Sequence, residues 1–240
     1  MTVSEGAMPV LSEDGDILLV DKPLDWTSFD VVAKIRGAYR RTGAPRKVGH
    51  CGTLDPRASG LLILATGKKT KSIASLEVLD KTYEGIITLG ARTASHDTET
   101  PEFGWCDTGH LTEREIHDQA SAFTGVRLQQ PPMHSAVWHH GTRLYELARK
   151  GHEVRERKAR QIEIFEFAIT AVALPDVHFT IRVSKGAYIR VIAHELGEQL
   201  GVGGYLKALK RTAIGPYALS AARSVAGLVE DITGAVTKKQ

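Results

Sequence analysis

The chain has 240 residues, of which 42% are hydrophobic and 25% charged, with a formal net charge of +3. That length can bury a sizeable core, the composition is too apolar for wholesale disorder, and two cysteines are too few for a disulfide scaffold, so a reducing cytoplasm is expected. No apolar run approaches the roughly 18 residues of a membrane span, and the first sixteen residues hold acids but no Lys or Arg, unlike a secretion signal.

In chain order, Ile17 to Val20 reads as a short apolar strand ending at Lys22-Pro23. Ser28 is placed to cap a helix with Val31, Val32, Ile35 and Tyr39 on one face, stopped by Gly43-Ala44-Pro45. A Gly-rich loop follows over 49–60. A strand over 81–89 carries Tyr83, Gly85, Ile87 and Leu89 on one face, and 95–110 reads as an acidic surface loop. Thr112 and Glu115 form a capping-box pattern before a helix ending near Gly125. Gln130-Pro131-Pro132 breaks the chain, and 142–150 is a short helix stopped by Gly151. Strands are expected at 161–172 and 177–184, the second with Val177, Phe179, Ile181 and Val183 inward. The stretch 188–200 is an amphipathic helix with Gly201 as its stop. Strands and helices come in irregular order, with no repeat and no linker. That pattern favours one α+β domain around a mixed, mostly antiparallel sheet flanked by helices.

Charge is unevenly spread. Between Lys34 and Lys71 lie ten Lys and Arg, Lys68 and Lys69 among them, against one acid, Asp55. Between Ser95 and Asp118 the sign reverses, with seven acids against Arg114. A locally basic face on a nearly neutral chain suits a polyanion, although charge runs also serve simply as solvated faces.

Familiar motifs fail on inspection. Ala65-Thr66-Gly67-Lys68-Lys69-Thr70 lacks the first glycine of a phosphate loop and has Lys69 where Ser or Thr belongs. Gly201-Val202-Gly203-Gly204 follows a helix rather than a strand, and His194-Glu195-Leu196-Gly197-Glu198 lacks the second histidine of a zinc-protease helix. His134, His139 and His140 have no Cys or carboxylate close by in sequence to complete a metal site.

Gly49-His50-Cys51-Gly52-Thr53-Leu54-Asp55-Pro56-Arg57-Ala58-Ser59-Gly60 stands apart. One carboxylate sits in a Gly-rich stretch inside the most basic part of the chain. Pro56 keeps Asp55 out of helical conformation, the glycines let a ligand approach the backbone, and the nearby cations favour an ionised Asp55. Spacing alone favours an ordinary turn with Asp as a turn former.

This stretch resembles the catalytic-loop signature of the TruB family of tRNA pseudouridine synthases, G-H-x-G-T-L-D-P-x-A-x-G. Four more blocks match in order: Asp21-Lys22-Pro23 with Thr27 to Val32; Lys81-Thr82-Tyr83 with Leu89-Gly90; Pro131-Pro132-Met133 to Gly151; and Ser184 to Arg190 followed by Leu209-Lys210-Arg211-Thr212. The resemblance runs from about Asp16 to Leu228. It implies the pseudouridine synthase fold with a basic RNA-binding cleft. It also implies isomerisation of the uridine at tRNA position 55, in the T-loop, with no cofactor and no metal.

Residue by residue, the resemblance implies that Asp55 is the catalytic carboxylate, either as a nucleophile at the sugar C1′ or by generating a glycal. Arg190 matches the arginine that pairs with it. Tyr83 matches the tyrosine that stacks on the flipped base, restoring about 1–3 kcal/mol of lost stacking. Tyr188 and Leu209 match pocket walls, and His50 a histidine near the flipped nucleotides. Gly52, Thr53, Lys22, Lys68, Lys69 and Arg211 complete the expected RNA-facing set. Three positions depart from the pattern: Asp25 where many relatives have Gly, His134 where Tyr is usual, and Cys51 where Ala is usual. The expected organisation is one catalytic domain over 1–240, with an extension at 1–15, a tail at 229–240 and no C-terminal domain of PUA type. The expected partner is the tRNA T-arm, met by a monomer.

Overall fold

The computed structural model describes residues 12–135, 137–152, 154 and 157–237. Most of the N-terminal extension, the end of the tail, Ala136 of the Pro-Pro-Met block and Arg155 of the later basic stretch lie outside the described residues. The strands are β1 (Ile17–Lys22), β2 (Val48–Cys51), β3 (Ala58–Thr66), β4 (Lys81–Leu89), β5 (Arg92–Thr93), β6 (Glu102–Phe103), β7 (Gly125–Gln129), β8 (Trp138–His139), β9 (Thr142–Arg143), β10 (Arg160–Ala173), β11 (Asp176–Val183), β12 (Gly204–Ile214), β13 (Tyr217–Ala218) and β14 (Arg223–Ser224). The helices are α1 (Ser28–Arg41), α2 (Ile73–Glu77), α3 (Glu113–Ser121), α4 (Leu144–Arg149), α5 (Ile189–Gln199) and α6 (Val225–Thr237), with short 3₁₀ turns at Gly67–Ser72 and Leu219–Ala221.

The chain divides into two compact units, Met1–Tyr83 with Lys210–Gln240, and Glu84–Leu209. In the first, the strand order is β14-β1-β3-β12, with β2 also on β3 and β13 on β12. β1 and β2 pair antiparallel with β3, and β1 pairs parallel with β14. Strand β3 is central, and Leu61 to Leu64 are fully buried. Leu62 and Leu64 face α1 and α6 through Val31, Val32, Ile35, Tyr39, Leu228 and Ile232, while Leu61 and Ile63 face Cys51, Leu76 and Ile214. A strand covered on both faces reads as a continuous apolar run, which hides its period of two.

The helix α1 follows the expected face but not the expected cap. Thr27 accepts from the Asp30 amide, and the Asp30 carboxylate returns the bond to the Thr27 amide, a complete capping box. Ser28 is instead the first helical residue, buried, with its hydroxyl turned toward the loop at 52–57. That loop is shorter than expected, because β2 and β3 take both flanks of the Gly-rich stretch.

In the second unit β4, β11, β10 and β7 lie in that order. β10 and β11 form a long antiparallel hairpin, with Val177, Phe179, Ile181 and Val183 buried as expected. Thr112 caps α3 through the expected box with Glu115. The 95–110 stretch is not wholly a surface loop: Ser95 and Asp97 are buried, and β6 pairs with β5. Neither strand β12 nor helix α6 is among the elements expected from the sequence. The sheet is mixed and mostly antiparallel, with helices on its faces. No helix among the described residues is long and apolar enough to cross a membrane.

Candidate active site

The Asp55 turn is held by the segment just before α1. The Leu54 amide donates to the Ser28 hydroxyl at 2.9 Å, and that hydroxyl donates back to the Leu54 carbonyl at 3.2 Å. The Asp25 amide donates to the Pro56 carbonyl at 2.9 Å, and the Ala58 amide closes the turn on the Asp55 carbonyl at 3.0 Å. Asp25 has φ 63°, a conformation that suits Gly and is tolerated by Asp. Here its carboxylate also meets Arg57 at 2.8 Å. The departure at position 25 thus keeps the backbone shape and adds an exposed ion pair on the turn.

Beneath the turn lie three cations. Lys22 is fully buried and donates to the carbonyls of Pro23 at 2.8 Å and Trp26 at 2.6 Å. Burial pushes its pKa down to about 8, and the charge of Asp55 is the strongest influence holding it up. Arg211, 1% exposed, donates to the carbonyls of Leu61 at 2.7 Å and Gly52 at 2.9 Å. Lys81 donates to the carbonyls of Glu77 and Leu79, and its pKa is lowered by burial. Lys22 and Arg211, expected as RNA contacts, therefore spend their donors on the backbone of the segments that build the turn. The charge of Asp55 in turn helps keep Lys22 protonated.

Other expected residues of this unit fall in different places. Gly52, at φ 69°, lies over Arg211 and Lys81, and Thr53 is exposed. His50 is half-buried on β2, and burial, then the Arg211 charge, lowers its pKa so that it is neutral near pH 7. Cys51 packs with Leu61 and Ile63, so a small apolar side chain suffices there, and burial pushes its thiol pKa up. Tyr83 is 8% exposed on β4. Lys68 and Lys69 are not gathered near Asp55. They follow the far end of β3, a nine-residue strand of about 27 Å, and Lys68 pairs with Asp14 at 2.7 Å.

In the second unit Arg190 occupies the first turn of α5 and is 5% exposed. Its guanidinium donates to the carbonyls of Ser95 at 3.2 Å and His134 at 2.8 Å, and lies 3.5 Å from the buried carboxylate of Asp97. Asp97 in turn accepts from the Glu99 amide at 2.9 Å. Sequence reasoning missed Asp97 because it sits in an acidic run that reads as solvated surface. His134 serves Arg190 through its backbone carbonyl, a contact that a Tyr would supply equally. Tyr188 is the N-cap residue of α5, half-buried, and Gln129 grips both its amide, at 2.8 Å, and its carbonyl, at 3.1 Å. Gln129 too gives no sequence signal. Leu209 is half-buried near the end of this unit on β12. Among the described residues no group of three or more His, Cys, Asp or Glu is placed to hold a metal ion.

The fold is that of the pseudouridine synthases. The structure superposes on the crystal structure of a Cbf5-Nop10-Gar1 complex with TM-score 0.70 and 28% identity, over 91% of this chain and 54% of that one. The chain thus spans about half the length of that solved relative. The family description "TruB family pseudouridylate synthase (N terminal domain)" matches residues 40–189. Two relatives, each called tRNA pseudouridine synthase B, extend the match: that of Chlorobaculum tepidum is 71% identical over 98% of both chains, and that of Chlorobium chlorochromatii is 63% identical over 98% of this chain and 92% of the relative. The chain belongs to the TruB family.

Proposed function

We propose that this protein converts uridine to pseudouridine in tRNA, at position 55 of the T-loop, with Asp55 as the catalytic carboxylate. The observation that carries the reading is the Asp55 turn, pinned by Ser28 and underlaid by Lys22, Arg211 and Lys81, in a chain 71% identical to a tRNA pseudouridine synthase B. The reaction breaks the bond between N1 and C1′, turns the base, and forms a bond between C5 and C1′. The proton leaves C5, and N1 ends protonated, so nothing is oxidised or reduced. Asp55 serves this either by attacking C1′ or by generating a glycal. Both routes need an ionised carboxylate.

In this reading Lys22 and Arg211 are positioning residues for the turn, Tyr83 stacks on the flipped base, and Tyr188 and Leu209 line its pocket. Arg190 takes the catalytic-arginine role that the family resemblance implies, with its pose set by Asp97 and two carbonyls of its own unit. His50, Gly52 and Thr53 meet the RNA beside the turn. The protein works as a monomer in the cytoplasm and needs no metal. The test is pseudouridine formation in a synthetic T-arm stem-loop with EDTA present. Product supports substrate, reaction and metal independence together. Salt-sensitive binding without product would overturn the T-loop reading and leave two others, a pseudouridine synthase acting on another RNA or a protein that binds RNA on the same scaffold.

A further inference from the structure

We propose that the outer face of α1 is a second contact surface for the substrate RNA, engaging the sugar–phosphate backbone of the helical stem beyond the loop that carries the target uridine. The proposal rests on the reading of the Asp55 turn as a uridine-isomerising site, and it names a surface outside that turn.

The helix buries Val31, Val32, Ile35, Ala38 and Tyr39 on one side. The opposite side presents Phe29, Lys34, Arg40 and Arg41, all exposed. Asp30, the one acid there, is occupied by the cap through the Thr27 amide at 2.8 Å and hydroxyl at 2.7 Å. Among the described residues, Lys34, Arg40 and Arg41 form no ion pair with a carboxylate, whereas Lys68, Arg57 and Arg46 each do. Phe29 is 62% exposed, and the Arg36 guanidinium lies 5.8 Å from its ring centre.

Position gives this face its meaning. The first residue of α1, Ser28, holds Leu54 beside Asp55, so the helix starts at the catalytic turn. Its fourteen residues extend about 21 Å, placing Lys34 about 9 Å and Arg41 about 20 Å along it. A duplex strand carries one phosphate per roughly 3.4 Å of axis, so this length runs beside several successive phosphates. Arg40 and Arg41 also complement the helix dipole in the last turn. That explanation does not reach Lys34 in the middle or the exposed Phe29 at the start. An RNA whose loop reaches Asp55 brings its stem past a ridge that is cationic along its length and aromatic at its near end.

The test compares two hairpins that share the T-loop, one with a short stem and one with the full stem. Binding is measured against salt for wild type and for the triple variant Lys34→Gln, Arg40→Gln, Arg41→Gln. Wild type is expected to bind the full stem more tightly and with a steeper salt dependence. The triple variant is expected to lose about tenfold in affinity for the full stem near 0.1 M salt, with the slope of log K against log salt smaller by about 2, at roughly 0.7–0.9 per lost phosphate contact. Its binding to the short stem changes little. Lys34→Glu alone, away from the helix end, is expected to weaken full-stem binding in the same direction, and unfolding midpoints check that both variants stay folded. Equal slopes for wild type and variant, or equal losses on both hairpins, would overturn the proposal. Product formation by wild type is scored in the same RNAs. Its absence overturns the T-loop reading, while the slopes judge the surface independently.

Discussion

At the residue scale, the most informative side chain is Lys22. It keeps a charge in a fully buried position, between two carbonyls and within the field of Asp55. Its folded pKa of about 8 lies below its ordinary 10.5, so burial disfavours the charged form. Below pH 8 the lysine is charged in both folded and unfolded chains and the cost is present in full. Between pH 8 and 10.5 the unfolded chain binds more protons, so stability rises with pH there, by an amount on the order of 3 kcal/mol. The unfolding free energy of wild type minus that of Lys22→Met is therefore expected to increase across that window. A flat difference would show that the ammonium is not held as described. Asp25 gives a second residue-scale expectation. At φ 63°, Asp25→Gly should leave stability within about 0.5 kcal/mol, whereas Asp25→Val should cost about 2 kcal/mol in urea unfolding, because a branched side chain is strained there.

At the scale of elements, the turn at 52–57 depends on α1 through one hydroxyl. Ser28→Ala leaves the buried Leu54 amide without its acceptor, which should cost about 1–3 kcal/mol. Because the same bond positions the residue before Asp55, kcat should fall more than KM rises. An unchanged kcat with the stability loss alone would make Ser28 a purely structural residue. The apolar stripe of α1 and the capping box of α3 were legible because period and cap chemistry are local. Thr27, rather than Ser28, caps α1 because Asp30 stands three residues after it, the spacing a box requires, and because Ser28 has a tertiary partner that no local pattern reveals. The strands flanking the Gly-rich stretch were hidden for a similar reason. Gly49 pairs with Ala65 across the sheet, and only the partner strand shows it to be β.

At the scale of the whole molecule, a net charge of +3 conceals strong local fields, basic around α1 and acidic after Ser95. Motif and family resemblance single out Asp55, Tyr83, Tyr188 and Arg190 as candidates. They did not reveal what holds these residues, because Asp97 acts through a side-chain ion pair, and Gln129 and Ser28 through bonds to backbone, with partners distant in sequence. Nor did they sort the cations. Composition treats Lys22, Arg211 and Lys68 alike, yet two are buried under the turn and the third is paired with Asp14 at the far end of β3. RNA affinity overall is expected to fall linearly in log K with log salt, a charge-driven behaviour that an apolar interface would not show.

The most direct test of the central claim is single-turnover pseudouridine formation in the T-arm stem-loop by wild type and by Asp55→Asn, with RNA affinity measured for both. Loss of product by at least about three orders of magnitude, with affinity kept within a few-fold, is the expected result for a carboxylate that acts on the reacting sugar. Product formed by Asp55→Asn at a rate near wild type would contradict the account.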